Sequence, residues 1–467
     1  MHIRMHKRLF LPSLLALSAA TLIVAGCSSG GSVSGLSSAK TGTSFVVGTD
    51  APMDAVTSFS VQVQGITATD ANGNSVQLIS GSPTVDFARF NGLQTLLSMN
   101  NVPEGTYTNV TITLGAATLG YLDTSGAGAP TIQTMPATLT SNTINVALTT
   151  PLVVANAAAP VGLHVDFNLR KSIQVDSTGQ ITGQVTPTFK VGTVGTDDAG
   201  AHIDEYTAAV VSVDAGSQTF VLQGTHGDQI TVAVSGQTEW DGNATLSDLT
   251  ANSIVQVSGK LDKTTGDLDA DEVEILSQQG FYASGQVTYV TPASGAATSF
   301  DMYVRGLLPT TTGLTLGQIA QVNLTGSENF SIYWMHDALT QFLFSSNLML
   351  PGQDIAVGGS ATGATDPKNV TVNRVVLRNW GFNGAVVPGS VNTSNNTFQM
   401  QVNGFAGILI PQAVTVYIAG ETEYRDGLAD MGGLDTTTNV RVVGVLLKDP
   451  TTGNPILVAH YVDSQDN

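Results

Sequence analysis

The sequence predicts an all-β protein, with an N-terminal antiparallel β-sandwich followed by three tandem small barrel-like β domains. Three observations predict it. Apolar and polar residues alternate in short runs, as with Val110, Ile112 and Leu114 of "TNVTITL", and a period of two marks half-buried strands. The runs are bounded by Gly, Asn, Asp and Pro, the residues that make turns. From about Tyr206 onward a set of landmarks recurs three times, which is the mark of a repeated unit.

The chain opens with a basic stretch carrying Arg4, Lys7 and Arg8, then an apolar run from Leu9 to Ala25. That is the form of an export signal, here residues 1–26, and not of a folded element. The run ends in Val24-Ala25-Gly26-Cys27, and Cys27 is the single cysteine of 467 residues, so no disulfide can form within the chain. One reading of Cys27 is an incidental thiol. The other is that small residues before a cysteine resemble the lipobox of bacterial lipoproteins. That resemblance implies cleavage before Cys27, attachment of lipid chains there and, with Ser28 where a retention aspartate would stand, residence at the outer membrane of the cell envelope. Each buried methylene contributes about 0.8 kcal/mol, so the expectation is a protein anchored to a membrane without spanning it. No later stretch reaches the roughly 18 apolar residues of a spanning helix. Residues 27–44, rich in Ser and Gly, read as a flexible tether.

The sandwich is expected over residues 45–195. "FSVQVQGITAT" puts Phe59, Val61 and Val63 on one face, and "LHVDFNLR" does the same with Leu163, Val165, Phe167 and Leu169. "DANGNS" carries the Asn-Gly pair of a tight hairpin. "VDFARFNGLQTLLSM" is expected to form a short helix or a helical turn. His164 and Asp166 have ligand-like spacing, but Asn168 and Arg170 continue the same polar face; the alternation favours a solvated sheet face over a metal site. Asp50, ahead of Ala51-Pro52, is expected to bond its own backbone. Taken in order, "FVVGTDAPMDAVTSFSVQVQGI", "VPEGTYTNVTITL", "LHVDFNLRKSIQV" and "GQVTPTFKV" resemble the bacterial domain of unknown function 4382. "PEGTY" also resembles the turn of transthyretin-like sandwiches. Neither resemblance implies an activity.

The repeats are expected at residues 203–278, 280–378 and 380–465. Their landmarks are "QTFVLQG", "GQTEW", "IVQVSG" and "DADEVEI" in the first copy. The second has "TSFDMYVRG", "GSENF", "IAVGG" and "VTVNRVVL", and the third has "NTFQMQVNG", "GETEY", "VRVVG" and "PILVAHYV". The pattern resembles domain of unknown function 5666, from which a barrel of oligonucleotide/oligosaccharide-binding type is inferred. In "GQTEW", "GSENF" and "GETEY" the first glycine and the final ring persist as Trp240, Phe330 and Tyr424. The acids Glu239 and Glu423 give way to Asn329 in the middle copy. With period two the ring is a core plug and the acid a solvated neighbour.

Function is less legible. Lys and Arg number 17 against 36 Asp and Glu, a net charge of -19; such a field repels phosphate backbones, so nucleic acid is excluded as a partner. No HExxH, P-loop or CxxC occurs, and the one GxSxG match, "GCSSG", straddles the cleavage point at Cys27. No catalytic residue and no cofactor is expected, and the chain is not expected to be an enzyme. Asp267, Asp269 and Asp271 begin a Ca²⁺ loop pattern, but Glu272 and Gln278 stand where that loop needs Gly and Glu; they remain weak candidates for a Ca²⁺-stabilised surface module. In "ENFSIYWMHDALTQFLF" the rings Tyr333, Trp334, Phe342 and Phe344 have no counterpart in the other copies. Exposed, they would offer a stacking platform for a sugar or a docking patch for an envelope protein; otherwise they cap the core of this repeat. The expectation is a lipid-anchored envelope protein with a non-catalytic binding or structural role. The alternative is a glycan-active enzyme or its carbohydrate-binding module, which would need two carboxylates across a cleft.

Overall fold

The long strands of the sandwich form because valines, isoleucines and phenylalanines recur at every second position and find a facing sheet. The structure, a computed structural model, describes residues 40–464 apart from 52–55, 91–93, 124–130, 157–158, 177–180, 199–200, 225–228, 241–243, 279, 310–311, 334–343, 404–408, 411, 426–427 and 436–438. Cys27, residues 28–39 of the expected tether, Trp334, Phe342 and the side chain of Asp50 lie outside that description; the last residues assigned to the tether, 41–44, are instead the start of the strand Thr41–Ala51, paired with residues 100–103. No helix among the described residues is long and apolar enough to cross a membrane.

One sheet of the sandwich has the order Phe189–Gly195, Val161–Asn168, Thr41–Ala51, Thr95–Pro103. It packs on a larger sheet built around the antiparallel pair Val56–Asp70 and Gly105–Asp123. Phe59 stacks on Phe167 at 5.0 Å between the sheets, with Phe87 5.1 Å from Phe167. Tyr107 of "PEGTY" is buried and donates its hydroxyl to Pro103 O at 2.8 Å, tying the turn to the strand it leaves.

Three expectations are corrected here. The sandwich is not wholly antiparallel, because Thr41–Ala51 pairs in parallel with Val161–Asn168; alternation fixes which face of a strand is buried and says nothing of the direction of a distant neighbour. Of the expected short helix or helical turn, only a turn forms, the 3-10 turn Phe87–Arg89, and the apolar second half of the segment is the strand Thr95–Pro103. That strand is covered on both sides, with Leu97 against the sandwich core and Leu96 and Met99 against the first barrel. Strands buried on both faces lose their alternation and mimic a buried helix. Finally, the sheet face bearing His164 and Asp166 is not open to solvent. Val47, paired with His164, is 0% exposed and belongs to the core of the first barrel.

Each repeat is a five-stranded barrel. In barrel 1, Ile203–Asp214, Thr219–Gln223, Gln229–Ala233, Ile254–Leu261 and Leu268–Ser277 pair in the order first, second, third, fifth, fourth, and the fourth returns to the first. The third and fifth strands are parallel. Barrel 3 closes in the same order with Trp380–Val386, Thr397–Val402, Val414–Arg425, Asn439–Lys448 and Pro455–Ser464. Barrel 2 follows suit with Phe281–Thr291, Ser299–Leu308, Ile319–Asn323 and Asp354–Gly359, its fifth strand split into Val370–Thr371 and Arg374–Leu377.

The recurring rings sit in matching rungs: Trp240 opposite Val273, Phe330 opposite Val375, Tyr424 opposite Val462. Each is half-buried against the core of its own barrel. The joints between domains are also apolar. Val445, Leu447, Ile456 and Val458 of barrel 3 complete the core of barrel 2, so the barrels form one block instead of beads on a string.

Candidate functional site

The matching rungs next to the rings decide what lies between barrels 1 and 3. In barrel 1, Glu239, Glu272 and Ser258 share a rung; in barrel 3 the same positions are Glu423, Tyr461 and Val443. All six line one cleft of about 520 Å³. Equivalent surfaces of two barrels therefore face each other across it. Barrel 2 contributes Tyr333 to the cleft, and Asn379, just before barrel 3, completes this side.

His202 and Asp204 enter from the start of barrel 1, and Asp271 from its fifth strand. His202 Nδ1 lies 3.2 Å from Asp204 Oδ1, and Nε2 lies 3.4 Å from Asp271 Oδ2. Burial opposes the charged ring, but the two carboxylates outweigh it and hold the His202 pKa up at about 9. Asp204 is itself fixed, since its Oδ2 accepts the Gln94 N–H of the sandwich at 2.8 Å. Across the cleft, Glu423 accepts two bonds from Arg425, at 2.8 and 3.2 Å, and this pairing keeps its carboxyl below the usual range. The Arg425 guanidinium lies 3.8 Å from the centre of the Tyr461 ring and covers it. Burial pushes the His460 ring toward its neutral form. Ser258 Oγ bonds Tyr333 Oη at 2.8 Å. Asn379 Oδ1 is buried with no hydrogen-bond partner among the described residues; it offers a ligand an acceptor.

Protonated His202 gives a pH-dependent prediction. Because its folded pKa is raised from about 6.5, the stability it carries is complete below that value and is lost as pH rises through about 9. The shift is discounted because Asp271 is 68% exposed, leaving on the order of 1–2 kcal/mol. Urea midpoints at pH 6 and pH 9.5 should differ in the native protein and converge in His202→Asn. Equal slopes in the two proteins would refute this role.

Of the residues singled out in the sequence, Tyr333 and Phe344 are 5% and 7% exposed and pack in cores. Neither ring is exposed as a stacking platform, although Tyr333 lines the cleft; Trp334 and Phe342 fall outside the described residues. Asp269 and Asp271 point outward between buried Leu268 and Ala270, and Asp271 turns to His202. No group of three or more His, Cys, Asp or Glu among the described residues is placed to hold a metal ion. Sequence reading missed that Glu239 and Glu423, both exposed, face a shared cleft. The available signal was their presence in copies one and three and their loss in copy two.

An all-β protein made of a sandwich and three barrels, with a polar cleft between equivalent barrel faces, is the class defined by fold and site. Residues 41–184 match the family model described as Domain of unknown function (DUF4382), a span that holds the sandwich up to its last strand, Phe189–Gly195. No curated protein matches the chain.

Proposed function

We propose that this is a lipid-anchored cell-envelope protein, held at the outer membrane through Cys27, that binds a hydroxyl-rich ligand such as a glycan without catalysis. The barrels, which resemble domain of unknown function 5666, supply the binding surface. The carrying observation is the cleft of about 520 Å³ with polar side chains from two barrels, a volume within the roughly 300–1,000 Å³ of small-molecule sites. Glu239, Glu272, Asp271 and Asn379 Oδ1 offer acceptors, while Lys260 and Gln237 offer donors. A lining that mixes acceptors and donors suits sugar hydroxyls. The two best-fixed charged groups, His202 and Arg425, are committed to carboxylates of the protein, which supports binding over proton transfer.

A glycan array followed by calorimetry tests this reading. An envelope oligosaccharide should bind, and Glu239→Gln with Glu423→Gln should weaken it tenfold or more; binding indifferent to both substitutions, or no binding at all, removes the cleft from consideration. The anchor is read separately. Cys27→Ala should release the protein from the outer-membrane fraction and abolish acyl labelling, and a variant that still fractionates with the membrane would show the lipoprotein reading to be wrong.

A further inference from the structure

A second interdomain cavity has the opposite chemistry. It lies where the sandwich meets barrels 2 and 3, measures about 70 Å³, and is lined by Arg89, Arg305 and Arg378 together with Tyr282, Ser284 and Asp354. In a chain with a net charge of -19, three guanidinium groups around one small space need a physical reason. We propose that this cavity is a binding site for a small oxyanion, a carboxylate or an inorganic phosphate or sulfate, held by Arg89, Arg305 and Arg378.

Two of the guanidinium groups are positioned in advance. Arg305, 6% exposed, donates to Ala88 O of the sandwich at 3.0 Å and to Gln286 Oε1 at 3.4 Å, and stacks 4.6 Å from the Trp380 ring. Arg378, also 6% exposed, donates to Tyr282 Oη at 2.7 Å. Rigid, forked donors are what planar oxyanion recognition uses. Tyr282 and Ser284 add hydroxyls, so the lining is rich in donors.

Charge balance points the same way. The described carboxylates near the arginines are Asp354, 4% exposed, and Asp86, whose charge is felt with those of Arg305 and Arg89. Buried charge is costly until balanced, and an anion in the cavity would add to the balance that these carboxylates give Arg305 and Arg378. Burial, with Arg89 as a second cause, lowers the Arg378 pKa to about 9, and burial pushes the Asp354 carboxyl well up. Both shifts come first from lack of solvent; Arg305 opposes that of Asp354, while Arg89 adds to that of Arg378, and an anion between the arginines relieves their mutual repulsion. Size limits the choice. One water needs about 10–15 Å³, so about 70 Å³ holds several waters or one anion of a few heavy atoms.

The test uses the full chain, titrated calorimetrically with sodium acetate, phosphate or sulfate against chloride at matched ionic strength. At least one of the three should bind saturably at one site per chain, acetate identifying a carboxylate site and phosphate or sulfate an inorganic one. Arg89→Gln should weaken that binding tenfold or more. Arg89 is exposed, so this variant keeps the fold even if Arg378→Gln does not. No saturable binding by any of the three overturns the proposal, as does an affinity unchanged in Arg89→Gln. A melting temperature that climbs without saturation, equally in both proteins, is general exclusion of kosmotropic salt from the surface and also counts against it.

Discussion

Arg374→Ala should destabilise the protein by about 3–5 kcal/mol, the range for removing one partner of a buried ion pair. Arg374 stands on the fifth strand of barrel 2, in the rung that in the other barrels holds Glu272 and Tyr461. Instead of facing the cleft it crosses to barrel 1, where its Nη2 lies 2.9 Å from Glu274 Oε1 and its Nη1 meets Ile275 O. Glu274 is 0% exposed. Truncating the arginine takes a guanidinium from a carboxylate that water cannot reach, and the cost falls on the joint between barrels. Replacing both partners, Arg374→Met with Glu274→Leu, should recover most of the loss, because two well-packed apolar groups need no solvation. Urea unfolding of the two proteins checks this. If the single variant loses less than about 1 kcal/mol, the pair is an exposed contact of ordinary worth and not a keystone of the joint.

The same rung shows what the sequence could and could not convey. The alternation of Val257, Val357 and Val442, and the rings Trp240, Phe330 and Tyr424, are local patterns, and they survive translation into three barrels with matching register. What Glu239, Asn329 and Glu423 face is not local. The outer side of a strand reads as polar whether it meets water, a cleft or another domain, so an acid in the cleft and an acid in solvent look alike. Arg374 was hidden for the same reason. Thr95–Pro103 shows the converse, since a strand covered by the sandwich on one side and barrel 1 on the other has no polar face to reveal its period. Parallel pairing of Thr41–Ala51 with Val161–Asn168 depends on register between distant segments, which neither run encodes. Charge offered one overlooked clue: with charged residues at only 11% of the chain, each arginine is scarce, and Arg305, Arg374 and Arg378 are all at joints.

Gly444→Ala should cost at least about 3 kcal/mol, while Gly192→Ala should be neutral or slightly stabilising. Gly444 closes the "VRVVG" landmark, equivalent to Gly259 of "IVQVSG" and Gly359 of "IAVGG". At Gly259 and Gly444 the ladder to the fifth strand slips by one residue, a β-bulge that bends the strand so that a narrow barrel can close. The bend brings backbones together: a Cβ on Gly444 would overlap the Val458 carbonyl oxygen, and one on Gly259 the Asp269 carbonyl oxygen. Backbone cannot rotate aside as a side chain can, so the added carbon must force the fourth and fifth strands apart and shift Val445 and Leu447 of the one and Val458 of the other, which fill the core of barrel 2. Overpacking of this kind costs about 1–3 kcal/mol where side chains absorb it, and more where the ladder itself must move. At Gly192 a Cβ meets nothing within 4 Å, and Gly→Ala there restricts the unfolded chain, worth about 0.4–1 kcal/mol where the native backbone suits alanine. Equilibrium unfolding of the two variants separates the cases. Equal losses would mean that the landmark glycine serves only its turn propensity and that barrel closure does not depend on the bulge.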